Sequence, residues 1–222
     1  VIHGLTFKEY VEEEKTKLSE MNKAEKIDYF KEYYLKLCIF AVVVLILLLW
    51  LVVDIGLNLR HNVVTGGVVN TELNDEGAEF LGKKYLEHLK LSRVFNQVGV
   101  APDIFLDDDD PQSYTIFQAE LAINSYNYLI TDDKGLDYVV ETECLADLDT
   151  VLDSEMSGQL SDKKIYRKLK ESGTEIAAAI DITDTAFAKE YIEPGGKVYF
   201  VISGKEEKYD SAVNMLKYIL EK

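Results

Sequence analysis

Six side chains in this sequence have the types and placement to hold a polar ligand. Thr131, Asp132 and Asp133 close the apolar run YNYLIT, and Asp181, Thr183 and Asp184 close EIAAAIDIT. The carboxyl ends of strands, beside helix N-termini, are where open α/β sheets take up anions and polar molecules. The same residue types also cap helices and form turns by bonding their own backbone. The six are therefore candidate ligand-binding residues with capping as the competing role.

Other constellations carry less. LDDDDPQ (106–112) places four carboxylates in a row, but it lacks the alternating D-x-D-x-D-G spacing that wraps oxygens around Ca²⁺. It reads as a loop that caps a helix opening at Pro111. His3, His61 and His88 are too scattered for a metal cluster or a triad. The sequence has no G-x-S-x-G, Walker A, G-x-G-x-x-G or H-E-x-x-H. The expectation is a protein without catalytic residues, metal or cofactor, and not an enzyme.

The elements that would position the six candidates follow an apolar span. From Leu37 to Val53 there are 17 consecutive residues without a charge, and the pattern runs on to Leu59 with Asp54 as its one charged interruption. At about 1.5 Å per residue such a helix crosses a hydrocarbon core of roughly 30 Å. A core helix would not be apolar on every face for so long, and a cleaved signal would be shorter, would start earlier and would end in small residues rather than DIGLNLRHN. Residues 36–60 are read as a permanent transmembrane helix, with Tyr33, Tyr34 and Lys36 at one interface and Trp50, Asp54 and Arg60 reaching the other. Cys38 precedes the run, where a lipid-attachment cysteine would follow it, and is read as an ordinary membrane-facing thiol.

Charge sets the orientation. Lys17, Lys23, Lys26, Lys31 and Lys36 lie before the span, whereas Arg60 is the sole basic residue after it until Lys83. The positive-inside rule makes residues 1–35 cytoplasmic and 61–222 extracytoplasmic. Residues 1–60 carry 8 basic and 9 acidic side chains, and 61–222 carry the remaining 16 and 31, so the exported part holds a net −15 of the chain's −16. That balance argues against nucleic acid, whose phosphates select clustered Lys and Arg. The two cysteines, Cys38 and Cys144, define no disulfide framework.

The cytoplasmic segment reads as two helices. Thr6 with Glu9, and Asn22 with Glu25, have the spacing of reciprocal capping boxes, and the second helix runs on into the span. Beyond the span, β-rich runs at 62–70, 97–106, 126–131, 175–183 and 197–203 alternate with helical patterns. Leu81, Tyr85 and Leu89 lie on one helical face, with Asp75 as its cap, and Tyr209 to Leu220 form another. The alternation predicts a three-layer α/β domain on a mainly parallel sheet. The basic stretch Lys163 to Lys170 reads as a solvated hairpin, set up by the ESGT turn.

The segments AELAINSYNYLITDDKGLDYVVETECLADLDTVL (119–152), AIDITDTAFAKEYI (179–192) and VYFVISGKEEKYDSAVNMLKYIL (198–220) resemble, in that order, type 2 extracellular solute-binding proteins. The KIDYFKEYY helix running into an anchor resembles membrane-anchored Gram-positive bacterial relatives of that family. Solute-binding proteins enclose their ligand between two lobes, and the 162 residues after the span suffice for one. The resemblance implies a domain similar to a single lobe, which offers a rim to a ligand but does not enclose it. Two functions follow as expectations. One is an anchored module that binds another envelope protein or assembly, and the other is a substrate-binding module for a small polar solute serving a transporter or sensor.

Overall fold

The computed structural model describes residues 6–58, 60–193 and 195–222; His3 and Leu59 lie outside these. The chain divides into two compact units, residues 1–58 and 59–222.

In the first unit, α1 (Phe7–Glu20) and α2 (Lys23–Tyr29) open on the expected capping boxes, with the Thr6 and Asn22 side chains accepting from backbone N–H groups and Glu9 and Glu25 reaching back. Both boxes satisfy donors that a helix start leaves without a partner. Through a π-helical turn (Phe30–Tyr34), α2 continues into α3 (Leu35–Asn58). The continuous helix Lys23–Gly56 is long and apolar enough to cross a membrane or to act as a signal sequence, and none of its apolar window is buried. A core helix would be covered. Glu14 of α1 accepts from the hydroxyls of Tyr29 and Tyr34 at 2.9 and 2.6 Å, which ties α1 to the helix that follows.

The second unit is built on β1 (His61–Val69), β2 (Asn96–Ile104), β3 (Tyr128–Thr131), β4 (Lys164–Lys168), β5 (Glu175–Asp181) and β6 (Tyr199–Ile202). They form one six-stranded sheet in the order β2-β1-β3-β6-β5-β4. The β1–β2 and β1–β3 pairings are parallel; β3–β6, β5–β6 and β4–β5 are antiparallel. The sheet is thus mixed, where a mainly parallel one was expected. The expected hairpin is present, the chain reversing over 169–174 between β4 and β5; the difference lies in β6, which enters between β3 and β5 antiparallel to both neighbours. A near-continuous apolar strand is required of any central position, parallel or not, so composition alone does not give direction.

Helices cover both faces. On one lie α4 (Asp75–Glu79), the π-helical turn Phe80–Lys84, α5 (Tyr85–His88), α8 (Leu148–Val151), α9 (Ser154–Gln159), α10 (Ala186–Tyr191) and α11 (Tyr209–Leu220), around Val68, Tyr128, Ile130, Phe200 and Ile202. On the other, α6 (Pro111–Ala122) and α7 (Asp133–Thr142) cover Val69, Leu129 and Val201. The period-two alternation along β3 and β6 feeds the two cores in turn. In α11, Met215, Leu216 and Ile219 are fully buried. One cap differs from expectation: Asn74, not Asp75, accepts from Gly77 N–H at 2.8 Å, and Asp75 is the first helical residue.

Candidate functional site

Strand register brings the two candidate groups to one rim. Thr131 of β3 and Asp181 of β5 both pair with Tyr199 of β6, one from each side. The groups, 50 positions apart in sequence, therefore flank a single tyrosine. Tyr199 is buried, and its hydroxyl donates to Asp133 Oδ1 at 2.8 Å in the first turn of α7. Burial first, and then this bond to a carboxylate, push the tyrosine's ionisation well above its ordinary value. Arg167 Nη2, on the edge strand, stands 3.9 Å from the same Asp133 oxygen.

Five of the six candidates are already bonded inside the fold, Asp133 to Tyr199 and four others as follows. Asp132 caps α7 by accepting from Gly135 N–H at 2.8 Å and also accepts from Asn70 Nδ2 at 3.2 Å. Asp181 accepts from Thr183 N–H at 3.0 Å, closing its own turn, with Lys197 Nζ 3.9 Å away. Thr183 Oγ1 accepts from Val198 N–H at 2.9 Å. Asp184 is exposed and paired with Lys189 at 3.0 Å, whose hydrogen bond and charge hold its carboxyl below the usual range. Thr131 is fully buried, and its Oγ1 has no hydrogen-bond partner. It packs so closely under α7 that a Cβ on Gly135 would lie 2.0 Å from that oxygen, which is why this turn needs glycine.

Beside Asp132, the one candidate that lines it, lies a shallow cleft of 240 Å³ formed by Asn70, Thr71, Glu72, Glu193 and Lys197, with Gly195, Gly196 and Val198. It sits where the strand order turns. From β1 the chain goes out to β2 over one face, through α4 and α5, and returns across β1 to β3 over the other face, through α6. That reversal between neighbouring parallel strands is the topological switch point, where α/β sheets leave a crevice. Thr71 Oγ1 faces no hydrogen-bond partner there. The lining carries three carboxylates and one ammonium, which suits a cationic or hydroxyl-rich small molecule better than an anion. A second open cleft, of 350 Å³, shares Glu193, Gly195, Gly196 and Val198 with the first and includes Thr183, Asp184 and Lys189.

Asn70 and Tyr199 organise this rim and were not among the sequence candidates. Asn70 adopts a left-handed backbone at φ 53°, donates its N–H to Ile104 and accepts from Leu106 N–H through Oδ1, at 2.8 Å each. Asparagine is one of the few residues that take this conformation readily, and an Asn directly after a β-rich run is the signal that identifies it. Tyr199 carries no such signal, because KVYFVIS reads simply as a buried strand.

The acidic loop behaves as a cap. Asp110 accepts from Gln112 N–H at the start of α6, with Pro111 in its first turn, and Asp108 takes the Tyr114 hydroxyl at 2.6 Å and Lys134 at 3.0 Å. Among the described residues no group of three or more His, Cys, Asp or Glu is placed to hold a metal ion. The basic hairpin is matched to acids, with Arg167 at 3.2 Å from Asp137 and Lys170 at 3.4 Å from Glu141. Compared with known proteins, the chain matches no family model, no curated protein and no solved structure.

Proposed function

We infer that this chain is a single-pass membrane protein whose residues 61–222 form an extracytoplasmic, non-enzymatic interaction module that binds another protein of the cell envelope. Residues 1–35 are the cytoplasmic lead-in and 36–60 the anchor, and the exported domain is similar to one lobe of a type 2 solute-binding protein. The observation that carries this reading is the contrast between the two edges of the sheet. The β4 edge bears Arg167 and the exposed Lys168, the charges with which sheets discourage further pairing. At the opposite edge β2 has no charge from Asn96 to Pro102, and Phe105 beyond it is about half exposed. An edge free of charge over its first seven residues, with Asp103 only near its end, next to an exposed aromatic ring suits strand addition by a partner, with main-chain bonds for affinity and the ring for selectivity. A photo-crosslinking residue at Gln97 or Ala101, introduced in the native host, should give a discrete protein adduct absent from the same probe at Lys168. Equal labelling at the two edges would overturn the reading.

The cleft at the β1–β3 switch point favours a second reading, a substrate-binding module for a small polar solute. With five of the six candidates already engaged and one lobe unable to enclose a ligand, affinity there should be weak, on the order of 1 mM. A thermal-shift screen of sugars, amino acids, peptides and metal ions separates the two. Clear stabilisation by micromolar ligand would replace the interaction module with the solute-binding one.

A further inference from the structure

The end of the α/β domain where β1 begins has a composition unlike the rest. The connection from α5 to β2, Lys90 to Phe95, exposes Leu91, Val94 and Phe95, the last two at 62% and 71% of their surface. His61, the first residue of β1, donates its N–H to the Phe95 carbonyl at 2.8 Å, and the pair His61–Asn96 opens the β1–β2 register. This apolar loop therefore stands beside the first strand residue, which follows Asn58, the last residue of the apolar helix, by three positions. Three residues span at most about 10 Å. With the apolar helix in a bilayer, a connection this short keeps the start of β1, and with it this loop, within reach of the membrane surface.

Beside the loop runs a groove of 330 Å³ into which Arg60, Lys83 and Arg93 converge, with no carboxylate among the described residues that line it. In a domain with 31 acidic and 16 basic residues over 61–222 this is a local reversal of sign. Glu79 and Glu87 pair with Lys83 and Arg93 from outside the groove, and Arg60 Nε is buried there without a hydrogen-bond partner. Guanidinium groups with free donors match phosphate oxygens in geometry and charge. The groove is large enough for a phosphoglycerol-sized group, and aliphatic and aromatic side chains next to it would enter the acyl boundary while the cations hold the headgroup.

We propose that this end of the domain docks on the outer surface of its own bilayer, with Val94 and Phe95 inserted and an anionic phospholipid headgroup held by Arg60, Lys83 and Arg93. Docking fixes the orientation of the domain, so that the β2 edge and the switch-point cleft face along and away from the membrane. The proposal rests on the anchor reading above, and its test distinguishes the two. The full chain, with Trp50→Phe and Phe95→Trp, is placed in nanodiscs of brominated phosphatidylcholine alone or mixed with brominated phosphatidylglycerol; a second variant carries its tryptophan at Asp184 instead, and the native Trp50 chain reports on the anchor.

The expected result is blue-shifted, bromine-quenched emission from Phe95→Trp in the anionic discs, much weaker quenching in neutral ones, and none from Asp184→Trp. Changing Arg60, Lys83 or Arg93 to Gln should each lower the docking equilibrium on the order of fivefold. Quenching at Trp50 without quenching at Phe95→Trp leaves the anchor and overturns the docking. Equal quenching in neutral and anionic discs overturns the headgroup site, and an unquenched Trp50 overturns anchor and docking together.

Discussion

The Tyr199 hydroxyl donates to Asp133 Oδ1 across 66 positions of sequence, joining the first residue of β6 to the first turn of α7. Tyr199 is buried, whereas the Asp133 side chain is largely exposed, so the bond is partly screened. Tyr199→Phe should lower stability by about 1 kcal/mol. Asp133→Asn, whose amide oxygen still accepts, should cost less. Thermal melts of the full chain in detergent decide this, and a Tyr199→Phe midpoint equal to wild type would show that the bond adds nothing.

Tyr128 presents the opposite case. Its ring is fully buried and stacked on Phe200 at 5.2 Å, but its hydroxyl has no partner. Burying an unsatisfied hydroxyl costs about 1–3 kcal/mol. Tyr128→Phe keeps the stacking and removes the cost, so its melting midpoint should rise. A fall would mean that the hydroxyl is bonded in solution.

Two neighbouring tyrosines, the buried Tyr85 and the partly buried Tyr218, set an alkaline limit. Desolvation, followed by the neighbouring Tyr218, raises Tyr85 from 10.0 to about 12, and desolvation raises Tyr218 to about 12 as well. For these groups the folded state holds its proton more tightly than the unfolded state. Their contribution is complete below pH 10 and is lost as pH climbs through about 12. Urea midpoints should be level from neutral pH to about 10 and then decline. Tyr85→Phe should flatten that decline, and an unchanged slope would remove Tyr85 from the cause.

The last helix should behave as core. Leu216 of α11 is fully buried beneath the face that carries Tyr128 and Phe200. Leu216→Ala should destabilise by about 2–5 kcal/mol, through lost transfer energy and the cavity left behind. If the midpoint of the full chain in detergent does not move, α11 is not packed on the sheet as described.

Which parts of this molecule the sequence made legible follows from the range of the interactions involved. Capping boxes at Thr6 and Asn22, the α11 face, the five β-rich runs and the basic hairpin arm that forms β4 depend on neighbours a few residues away, and the pattern alone located them. Strand direction depends on the order of pairing across the sheet, so the antiparallel entry of β6 was not readable. The engagements of Asp132 with Asn70, Asp133 with Tyr199 and Asp184 with Lys189 illustrate the same divide. The capping role competing with ligand binding is local and visible in sequence, but the convergence of both groups on Tyr199 exists only through register.

The final prediction is topological. Five lysines from Lys17 to Lys36 precede the uncharged run Leu37–Val53, and Arg60 alone follows it before Lys83, so the positive-inside rule predicts that the N-terminal side stays in the cytoplasm. Ser19 in α1 and Ser154 at the start of α9 are both exposed, which makes them suitable reporters on the two sides. With Cys38 and Cys144 changed to Ser, a single cysteine at Ser154 should react with a membrane-impermeant maleimide on intact cells. One at Ser19 should react only after lysis. The reverse pattern would invert the orientation. Recovery of a shortened, labelled chain in the medium would instead identify the apolar helix as a cleaved signal, because an anchored domain cannot leave the cell without proteolysis beyond the helix.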